Sequence, residues 1–158
     1  MKLKIVCLIL LSTFIVFNAS AQKKQKRKKS IKSELSGENK LKVDFLFITG
    51  LKEKEIGNTQ NAFQYFKQIL DVDQNDPAVY YELAKASIAL NDYPNATNYA
   101  KKACELNENN YWYWDLLTSI YDSQRNQVEL KNAYSKMVDL FPDKIEVLFD
   151  YANSLSGQ

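Results

Sequence analysis

The sequence predicts an all-α protein of stacked antiparallel helix pairs, preceded by a short targeting segment. Four glycines and three prolines in 158 residues are few, which favours long regular elements joined by short turns. Apolar residues in the body of the chain recur three and four residues apart, the spacing that places side chains on one side of a helix. Similar stretches return every 34 residues from residue 43 onward, which indicates a repeat architecture.

Residues 1–21 have the pattern of a signal peptide. A lysine-containing start is followed by the mostly apolar stretch 5–17 and by a small-x-small cleavage pattern that ends at Ala21. A helix of that length rises about 20 Å, which is too short for the ~30 Å hydrocarbon core of a bilayer. We therefore expect cleavage between Ala21 and Gln22, no permanent membrane span, and a location in the periplasm or cell envelope of a Gram-negative-type bacterium, or secretion.

Residues 22–42 are predicted to be a basic, flexible leader. Their few apolar side chains cannot offset the entropy that ordering would cost. Lys23–Lys29 reads KKQKRKK, which suits weak contact with an anionic surface but lacks interleaved aromatic rings for base stacking, so no nucleic-acid partner is expected. The same cluster is more basic than the start of the chain, and it favours the alternative of an uncleaved anchor.

Charge divides the chain into two parts. The formal net charge of +2 combines nine positive and no negative side chains in residues 1–32 with twelve positive and nineteen negative ones in residues 33–158. The predicted helical body therefore has a net charge of −7, and a basic leader precedes an acidic domain.

The composition argues against an enzyme. There is no histidine, which excludes Ser-His-Asp and Cys-His nucleophiles, histidine metal clusters and histidine pH switches. No glycine-rich phosphate loop, metal-ligand spacing or nucleophile elbow is present, so we expect no catalytic, cofactor-binding or metal-binding residues. Cys7 lies in the predicted signal peptide, which leaves Cys104 as a single thiol without an internal disulfide partner.

The repeat has four equivalent starting residues: Val43, Pro77, Tyr111 and Ile145. When these are position 1 of each unit, positions 4, 7, 8 and 11 form one apolar stripe on a first helix, and positions 20, 24, 27 and 28 form another on a second helix. The last unit keeps the first stripe, with Leu148, Tyr151, Ala152 and Leu155. Cys104 occupies position 28 of the second unit, beside Leu70 and Val138 in the others, so we predict that it is buried.

Small residues and turn residues complete the pattern. Positions 8 and 20 hold small side chains in most units, among them Gly50, Ala62, Ala84 and Ala96, which lets paired helices approach closely. Turns between the two helices of a unit are predicted at 57–58, 91–92 and 125–126. Pro94 falls at the start of a second helix, where its missing N–H costs little.

These residues resemble the tetratricopeptide repeat. Each unit matches part of that family's pattern: the second through Tyr80, Leu83, Ala84, Tyr93, Ala96 and Ala103, the third through Trp114, Leu117, Tyr121, Tyr134 and Pro142, and the first through Gly50, Gly57, Ala62 and Phe66. The resemblance implies units at 43–76, 77–110 and 111–144, followed by residues 145–158 as the first helix of a partial fourth unit or a cap. The export signal and lysine-rich stretch resemble exported bacterial members of the family.

The resemblance also implies a binding surface, which we call the concave face. In this family positions 2, 5, 9 and 12 of the first helices point into a groove, and the partner-binding candidates here are Phe47, Leu51, Tyr81, Lys85, Trp112, Asp115, Ser119, Asp122 and Phe149. Exposed aromatic anchors are typical of partner-binding surfaces. The alternative is that these rings pack against neighbouring helices or against the chain's own tail.

The expected function is non-enzymatic binding of a protein or peptide. The carboxylate clamp of some family members needs Lys and Asn at positions 5 and 9, where this chain has Phe47 and Leu51, then Tyr81 and Lys85. An extended or helical peptide with apolar anchors, and with basic residues facing Asp115 and Asp122, fits the face better. Two alternatives remain: the chain is the docking or sensory front of a longer envelope protein, or it is a tether that uses Lys23–Lys29.

Overall fold

A computed structural model describes residues 35–156, and in this range the chain forms seven α-helices and no strand. The helices are α1 (Gly37–Glu55), α2 (Thr59–Ile69), α3 (Pro77–Ala89), α4 (Tyr93–Leu106), α5 (Tyr111–Ser123), α6 (Gln127–Leu140) and α7 (Ile145–Ser156). The all-α prediction is confirmed. The predicted signal peptide, its cleavage site at Ala21 and Gln22, and the cluster Lys23–Lys29 lie outside the described residues.

Each helix packs against the next along the chain, so that α1 with α2, α3 with α4 and α5 with α6 form antiparallel pairs, and α7 follows α6. All seven belong to one unit, residues 37–158. Helices α3, α5 and α7 begin at Pro77, Tyr111 and Ile145, the residues with which the sequence repeat begins its later units. None of the described helices is both long enough and apolar enough to cross a bilayer.

The first helix is longer than the sequence indicated. It begins at Gly37, six residues before Val43, so residues 37–42 belong to α1 and not to a flexible leader. Lys40, Leu41 and Lys42 are good helix formers, and Glu38 lies in the first turn, where the helix dipole favours a negative charge. Leu41 remains exposed, so this extension rests on local preference and not on burial.

The turn inside each helix pair has the same backbone at position 15. Gly57, Asn91 and Arg125 have φ angles of 84°, 59° and 54°, which lie in the left-handed region. The backbone N–H of the next residue then reaches the carbonyl five residues back, as in the 2.8 Å bond from Asn58 to Glu53. The turns predicted at these three places are therefore confirmed.

Side-chain caps fix the start of the later first helices. The Oδ1 atom of Asp76 accepts a hydrogen bond from the backbone N–H of Ala78 at 2.9 Å, and Pro77 occupies the first turn, where no intrahelical donor is needed. Asn110 does the same for Trp112, at 3.1 Å. The cap at Asn110 thus sets the beginning of the helix that carries the two tryptophans.

The core consists of the two predicted stripes. Ala62, Ala84 and Ala96 are fully buried, and Gly50 lies so close to Phe66 that an added Cβ atom would be 2.7 Å from its Cε1 atom. The second-helix stripe is buried or nearly so in all three pairs: Ala62, Phe66, Ile69, Leu70, Ala96, Ala100, Ala103, Cys104, Leu130, Tyr134, Met137 and Val138. The prediction that Cys104 is a core residue is confirmed.

Most of the stripe predicted for the last helix is exposed. In α7 the exposed fractions of Leu148 and Leu155 are 45% and 56%, Ala152 is also exposed, and the buried residues are Val147 and Ser154. The reason is that positions 4, 8 and 11 face the second helix of their own pair, and no such helix follows α7 in the described residues. Positions 3 and 10 instead pack against the preceding pair.

Candidate functional site

Side-chain contacts bring the first helices of successive pairs side by side. Lys54 of α1 binds Glu82 of α3, with 2.7 Å between Nζ and Oε2. The rings of Tyr81 in α3 and Tyr113 in α5 are 5.3 Å apart. Asp122 of α5 lines a small cavity of about 160 Å³ together with residues of α7. Helices α1, α3, α5 and α7 therefore follow one another along the face that carries the predicted binding residues.

At the α1 end, Phe47 and Leu51 are half-buried. The Phe47 ring lies 5.6 Å from the ring of Phe66, centroid to centroid, so part of its surface is used within the first helix pair. This contact matches the alternative considered for the aromatic row, in which the rings pack against neighbouring helices. Phe47 and Leu51 form an apolar floor and not a projecting anchor.

Tyr81 and Lys85 occupy the middle of the face and are also half-buried. Lys85 Nζ lies 5.2 Å from the centroid of the Tyr81 ring, one helical turn away, which is within the range of a cation–π contact. Burial raises the pKa of the Tyr81 hydroxyl, with a further contribution from the carboxylates of Glu82 and Asp115. Tyr81 therefore remains a neutral hydroxyl donor at neutral pH.

Trp112 and Phe149 are the projecting aromatic residues, with exposed fractions of 64% and 66%. Trp112 is supported from one side by Tyr111, whose ring is 5.4 Å away in an edge-to-face arrangement. Tyr111 is itself fixed, because its ring packs against Phe141 at 5.7 Å and lies beneath Lys144 Nζ at 4.4 Å. Trp112 is thus an exposed indole on a rigid support.

The α5–α7 end of the face is acidic. Asp115, Ser119 and Asp122 are all exposed. Asp150 of α7 lines the 160 Å³ cavity with Asp122, and no lysine or arginine lines it. Two carboxylates therefore share one small polar space at this end.

This acidic pair stands at the same repeat positions as an ion pair at the other end. Lys54 and Glu82 stand at position 12 of one unit and position 6 of the next, and Asp122 and Asp150 stand at the same two positions two units later. Where the α1 end holds a cation against a carboxylate, the α7 end holds two carboxylates.

The nine predicted residues differ in exposure and in chemical character. Sequence reasoning did not single out Glu82, Asp150 and Tyr113, which shape the same face. The signal for the first two was present, because positions 12 and 6 lie 28 residues apart and pair in successive units. Tyr113 is buried at position 3, beside a stripe in which only positions 4, 7, 8 and 11 were expected.

Within the described residues, no three or more histidine, cysteine or acidic side chains are grouped so that they could hold a metal ion. The cavity shared by Asp122 and Asp150 holds only two carboxylates, together with neutral side chains. The arrangement offers apolar rings, a half-buried tyrosine hydroxyl and carboxylates, which are groups that bind another molecule.

Comparisons with known proteins agree with this architecture. Residues 55–120 match the family model of the tetratricopeptide repeat. The first tetratricopeptide domain of Spaghetti (RPAP3), bound to the HSP90 peptide SRMEEVD, is similar with a TM-score of 0.64 and 19% identity, over 74% of this chain and 93% of that one. MamA is similar with a TM-score of 0.65 and 22% identity, over 82% of this chain and 73% of that one.

A further similar structure is the second tetratricopeptide domain of human RPAP3 in complex with the HSP70 peptide SGPTIEEVD, with a TM-score of 0.64 and 12% identity over 73% of this chain and 97% of that one. No curated protein matches the sequence significantly. Residues 55–120 thus match the tetratricopeptide repeat, and the helices of this chain have the tetratricopeptide-repeat fold.

Proposed function

We propose that this chain is a non-enzymatic scaffold of the bacterial cell envelope, which binds a segment of a protein or peptide partner along its concave face. The partner segment supplies apolar side chains that meet Trp112 and Phe149, and a lysine or arginine that approaches Asp122. Two similar domains, both from RPAP3, hold peptides, and this supports the general role. The peptides themselves are ligands of the RPAP3 domains.

The observation that carries the proposal is the exposure of Trp112. A tryptophan exposed by 64% on a rigid support leaves apolar area in water, and burying it against a partner would be favourable by about 25 cal/mol per Å². Its support already restricts the ring through the contact with Tyr111, so binding costs little additional side-chain entropy. Tryptophan is also among the residues most enriched at binding hot spots.

Electrostatics indicate which peptides the face excludes. The peptides bound to the similar domains, SRMEEVD and SGPTIEEVD, end in three acidic residues among their last four. The proposed binding face of this chain carries Asp115 and Asp122, with Asp150 beside them, so an acidic tail would meet like charges. We therefore propose a partner segment that is apolar and basic.

The test is capture of the native partner by a groove variant. In Trp112→Ala combined with Phe149→Ala, both truncated rings are exposed, so the fold should remain intact while capture from the envelope falls at least tenfold. A matched control is Ile56→Ala with Val128→Ala, which removes two comparably exposed apolar side chains outside the concave face. Undiminished capture by the groove variant, or equal loss in the control, would argue against the concave face.

Export is part of the same proposal. The apolar stretch 5–17 and the small residues before Gln22 support cleavage after Ala21 and a location in the envelope or outside the cell. N-terminal sequencing of the protein from the envelope fraction should give Gln22 as the first residue. A first residue of Met1 would instead support the uncleaved anchor.

A second candidate is the docking or sensory part of a longer envelope protein. Leu148 and Leu155 of α7 favour it, because their apolar surface is of the kind that a further helix would cover. The length of the native polypeptide, measured by intact-mass spectrometry, tests this candidate: a mass well above 18.3 kDa supports it. Tethering through Lys23–Lys29 is the third candidate, and it requires that membrane association weaken as salt increases.

A further inference from the structure

The outer side of the second and third helix pairs contains a cavity of about 370 Å³. This volume is within the range of about 300–1,000 Å³ that is usual for ligand sites. The apolar lining comes from three helices: Cys104 of α4, Trp114, Leu117 and Tyr121 of α5, and Ala133 of α6. Ligand sites are commonly apolar with a few polar groups at the rim, which is the composition found here.

The cavity lies away from the concave face. On α5 the concave-face residues hold positions 2, 5, 9 and 12, whereas the cavity residues hold positions 4, 7 and 11. Because each helical residue advances by about 100°, these two sets point in opposite directions. The cavity is therefore separate from the surface to which partner binding was assigned above.

The repeat register explains why space is left here. Ala133 stands at position 23 of its unit, where the preceding unit has Tyr99. The ring of Tyr99 lies between the rings of Phe63 and Tyr80, at centroid distances of 6.2 Å and 6.3 Å. In the third unit Trp114 stands at position 4 in place of Tyr80. The residue that should pack beside it, at position 23, is Ala133, which has a methyl group in place of a ring.

A second substitution enlarges the same space, and a third only partly refills it. Cys104 replaces Leu70 at position 28 and is smaller. Tyr121 replaces Ser87 at position 11 and is larger, and its ring is buried in the floor beneath Lys101 Nζ, 5.7 Å from the ring centroid. The cavity is present although Tyr121 is large, so the volume added at position 11 does not compensate for the volume lost at position 28.

The apolar lining is held in place by a hydrogen bond, and its thiol is uncharged. The indole N–H of Trp114 donates a 2.8 Å hydrogen bond to the carbonyl of Glu108, which fixes the plane of the ring. Burial raises the pKa of the Cys104 thiol to about 12, so the sulfur is a neutral, weakly polar atom at neutral pH. A ligand would therefore meet a flat aromatic wall and an uncharged base.

The rim is polar and carries both signs of charge. Lys101, Glu105, Glu129 and Lys136 line the opening with Glu108, and Lys136 Nζ is 4.0 Å from Glu108 Oε2. These groups provide hydrogen-bond donors and acceptors for a hydroxyl group and for peptide amides next to an inserted ring. The rim thus carries two lysines and three glutamates, and Glu105 is also paired with Lys102, with 3.1 Å between Nζ and Oε2.

We propose that this cavity is a second binding site, which accepts the aromatic side chain of a tyrosine presented by a partner polypeptide. The inserted ring would occupy the space that Tyr99 fills one repeat earlier, stacked beside Trp114 and above Leu117 and Cys104. The ring would lie along the apolar floor, so that its hydroxyl reaches the polar rim at one side and its backbone lies at the opening between α4 and α6.

The two tryptophans make the test direct, because each reports on one face. N-acetyl-L-tyrosinamide is titrated into isotope-labelled protein while the indole N–H signals are followed by NMR, and Trp112→Phe assigns the two signals. We expect the Trp114 signal to shift with a saturable, millimolar affinity, while the Trp112 signal stays in place. N-acetyl-L-alaninamide, which has no ring, should produce no saturable shift.

Filling the cavity from inside should abolish this binding. Ala133→Tyr restores the ring that position 23 carries in the preceding unit, and we expect the affinity for N-acetyl-L-tyrosinamide to fall at least tenfold. Ser135→Tyr, which adds the same side chain on the exposed side of α6, is the matched control and should bind as the unaltered protein does. If circular dichroism shows that Ala133→Tyr does not fold, Ala133→Leu replaces it with the same expected result.

Each contrary outcome overturns the proposal. Equal shifts with the alanine amide mean that the site does not select a ring. A shift of Trp112 in place of Trp114 puts the binding on the concave face, and unchanged affinity in a folded Ala133 variant puts it outside the cavity. Binding of p-cresol without binding of N-acetyl-L-tyrosinamide means that the cavity admits free small aromatic molecules and not a polypeptide side chain.

Discussion

Gly50 lies where α1 meets the fully buried ring of Phe66 in α2. A Cβ atom at this residue would be 2.7 Å from Phe66 Cε1, and the ring is enclosed by the core and cannot move aside freely. Overpacking a core costs about 1–3 kcal/mol, whereas alanine improves helix propensity over glycine by only about 1 kcal/mol. Close packing therefore outweighs local preference at this residue.

We expect Gly50→Ala to lower the free energy of unfolding by about 1 kcal/mol or more, measured by urea denaturation. Gly37→Ala is the control, because a Cβ atom at Gly37 meets nothing within 4 Å. That change should stay within about 0.5 kcal/mol. A Gly50 variant as stable as the unaltered protein would mean that α1 and α2 are further apart than described.

Ser87 carries a fully buried hydroxyl that has no hydrogen-bond partner in the described part of the chain. Leaving a polar group unpaired in a core costs about 1–3 kcal/mol, so Ser87→Ala should raise the free energy of unfolding by about 1 kcal/mol. Ser154→Ala is the matched change, because Ser154 Oγ donates to the Tyr151 carbonyl at 2.6 Å and its removal should lower stability. Thermal denaturation distinguishes the two; equal shifts of Tm would contradict this account of Ser87.

The four aromatic residues 111–114 show how far single residues are predictable. Sequence reasoning separated Trp112, which the core does not need, from Trp114 on the stripe, and Trp112 is indeed exposed while Trp114 is half-buried. It did not foresee that Tyr113 is the buried member of the group. Tyr113 contacts Tyr81 of the preceding helix pair at position 3, where Val79 and Val147 are also buried, so this contact between units recurs but lies outside the stripe of positions 4, 7, 8 and 11.

At the scale of elements, the turn inside each pair uses one backbone conformation with three different residues. Glycine adopts a positive φ at little cost, whereas a residue with a Cβ atom pays about 1–2 kcal/mol. Gly57 and Asn91 are residue types that adopt a positive φ readily, but Arg125, with φ 54°, is not. The third turn is therefore strained although it follows the same pattern.

Arg125→Gly should stabilise the protein by about 0.5–1 kcal/mol, because it removes this strain and outweighs the greater freedom of glycine in the unfolded chain. Gly57→Ala should destabilise it by about 1 kcal/mol for the converse reason. Chemical denaturation of both variants gives the comparison. Opposite signs are required; if both variants are stabilised, the position-15 backbone is not left-handed.

The limits of α1 and α7 show what a repeat pattern leaves out. The start of α1 at Gly37 depends on helix formers that lie before the repeat, so periodicity alone could not locate it. The stripe of α7 was visible in the sequence, but whether it is buried depends on a neighbouring helix. Interior helices were predictable because both of their neighbours are copies of the same unit, and terminal helices were not.

For the molecule as a whole, the pH dependence of stability follows from buried and half-buried groups that stay protonated. The chain has no histidine to titrate near neutrality, while burial raises the pKa of the Cys104 thiol to about 12 and also raises the pKa of several tyrosines: Tyr81, Tyr99, Tyr111, Tyr113, Tyr121 and Tyr134. Above the ordinary pKa values the unfolded chain loses protons that the folded chain retains, and this favours unfolding.

The free energy of unfolding should therefore fall as the pH rises from about 9 to about 12, with the earliest part of the fall due to Cys104. Urea denaturation at several pH values measures this. Cys104→Ala should remove the component that begins near the ordinary cysteine pKa and leave the later tyrosine component. Stability that is constant or increases over this range would show that these side chains are not buried.

The concave face stays a prediction from the repeat register, and the structure adds contacts that the register does not contain. The repeat register placed Trp112 and Asp122 on it, because the register alone fixes which side of a helix a residue occupies. It could not show that the rings of Phe47 and Tyr81 are partly covered by the rings of Phe66 and Tyr113, since those contacts depend on the distance between helices. The outer cavity was equally invisible, because one missing ring at Ala133 matters only when three helices are in place.

The most direct measurement of the central claim is site-specific photocrosslinking in the native envelope. A benzoylphenylalanine residue is introduced in place of Trp112 on the concave face or in place of Val128, which is comparably exposed at the start of α6. Our account predicts that the probe at residue 112 crosslinks to a defined polypeptide partner and that the probe at residue 128 does not. Crosslinks to the same partner from residue 128 but not from residue 112 would contradict it.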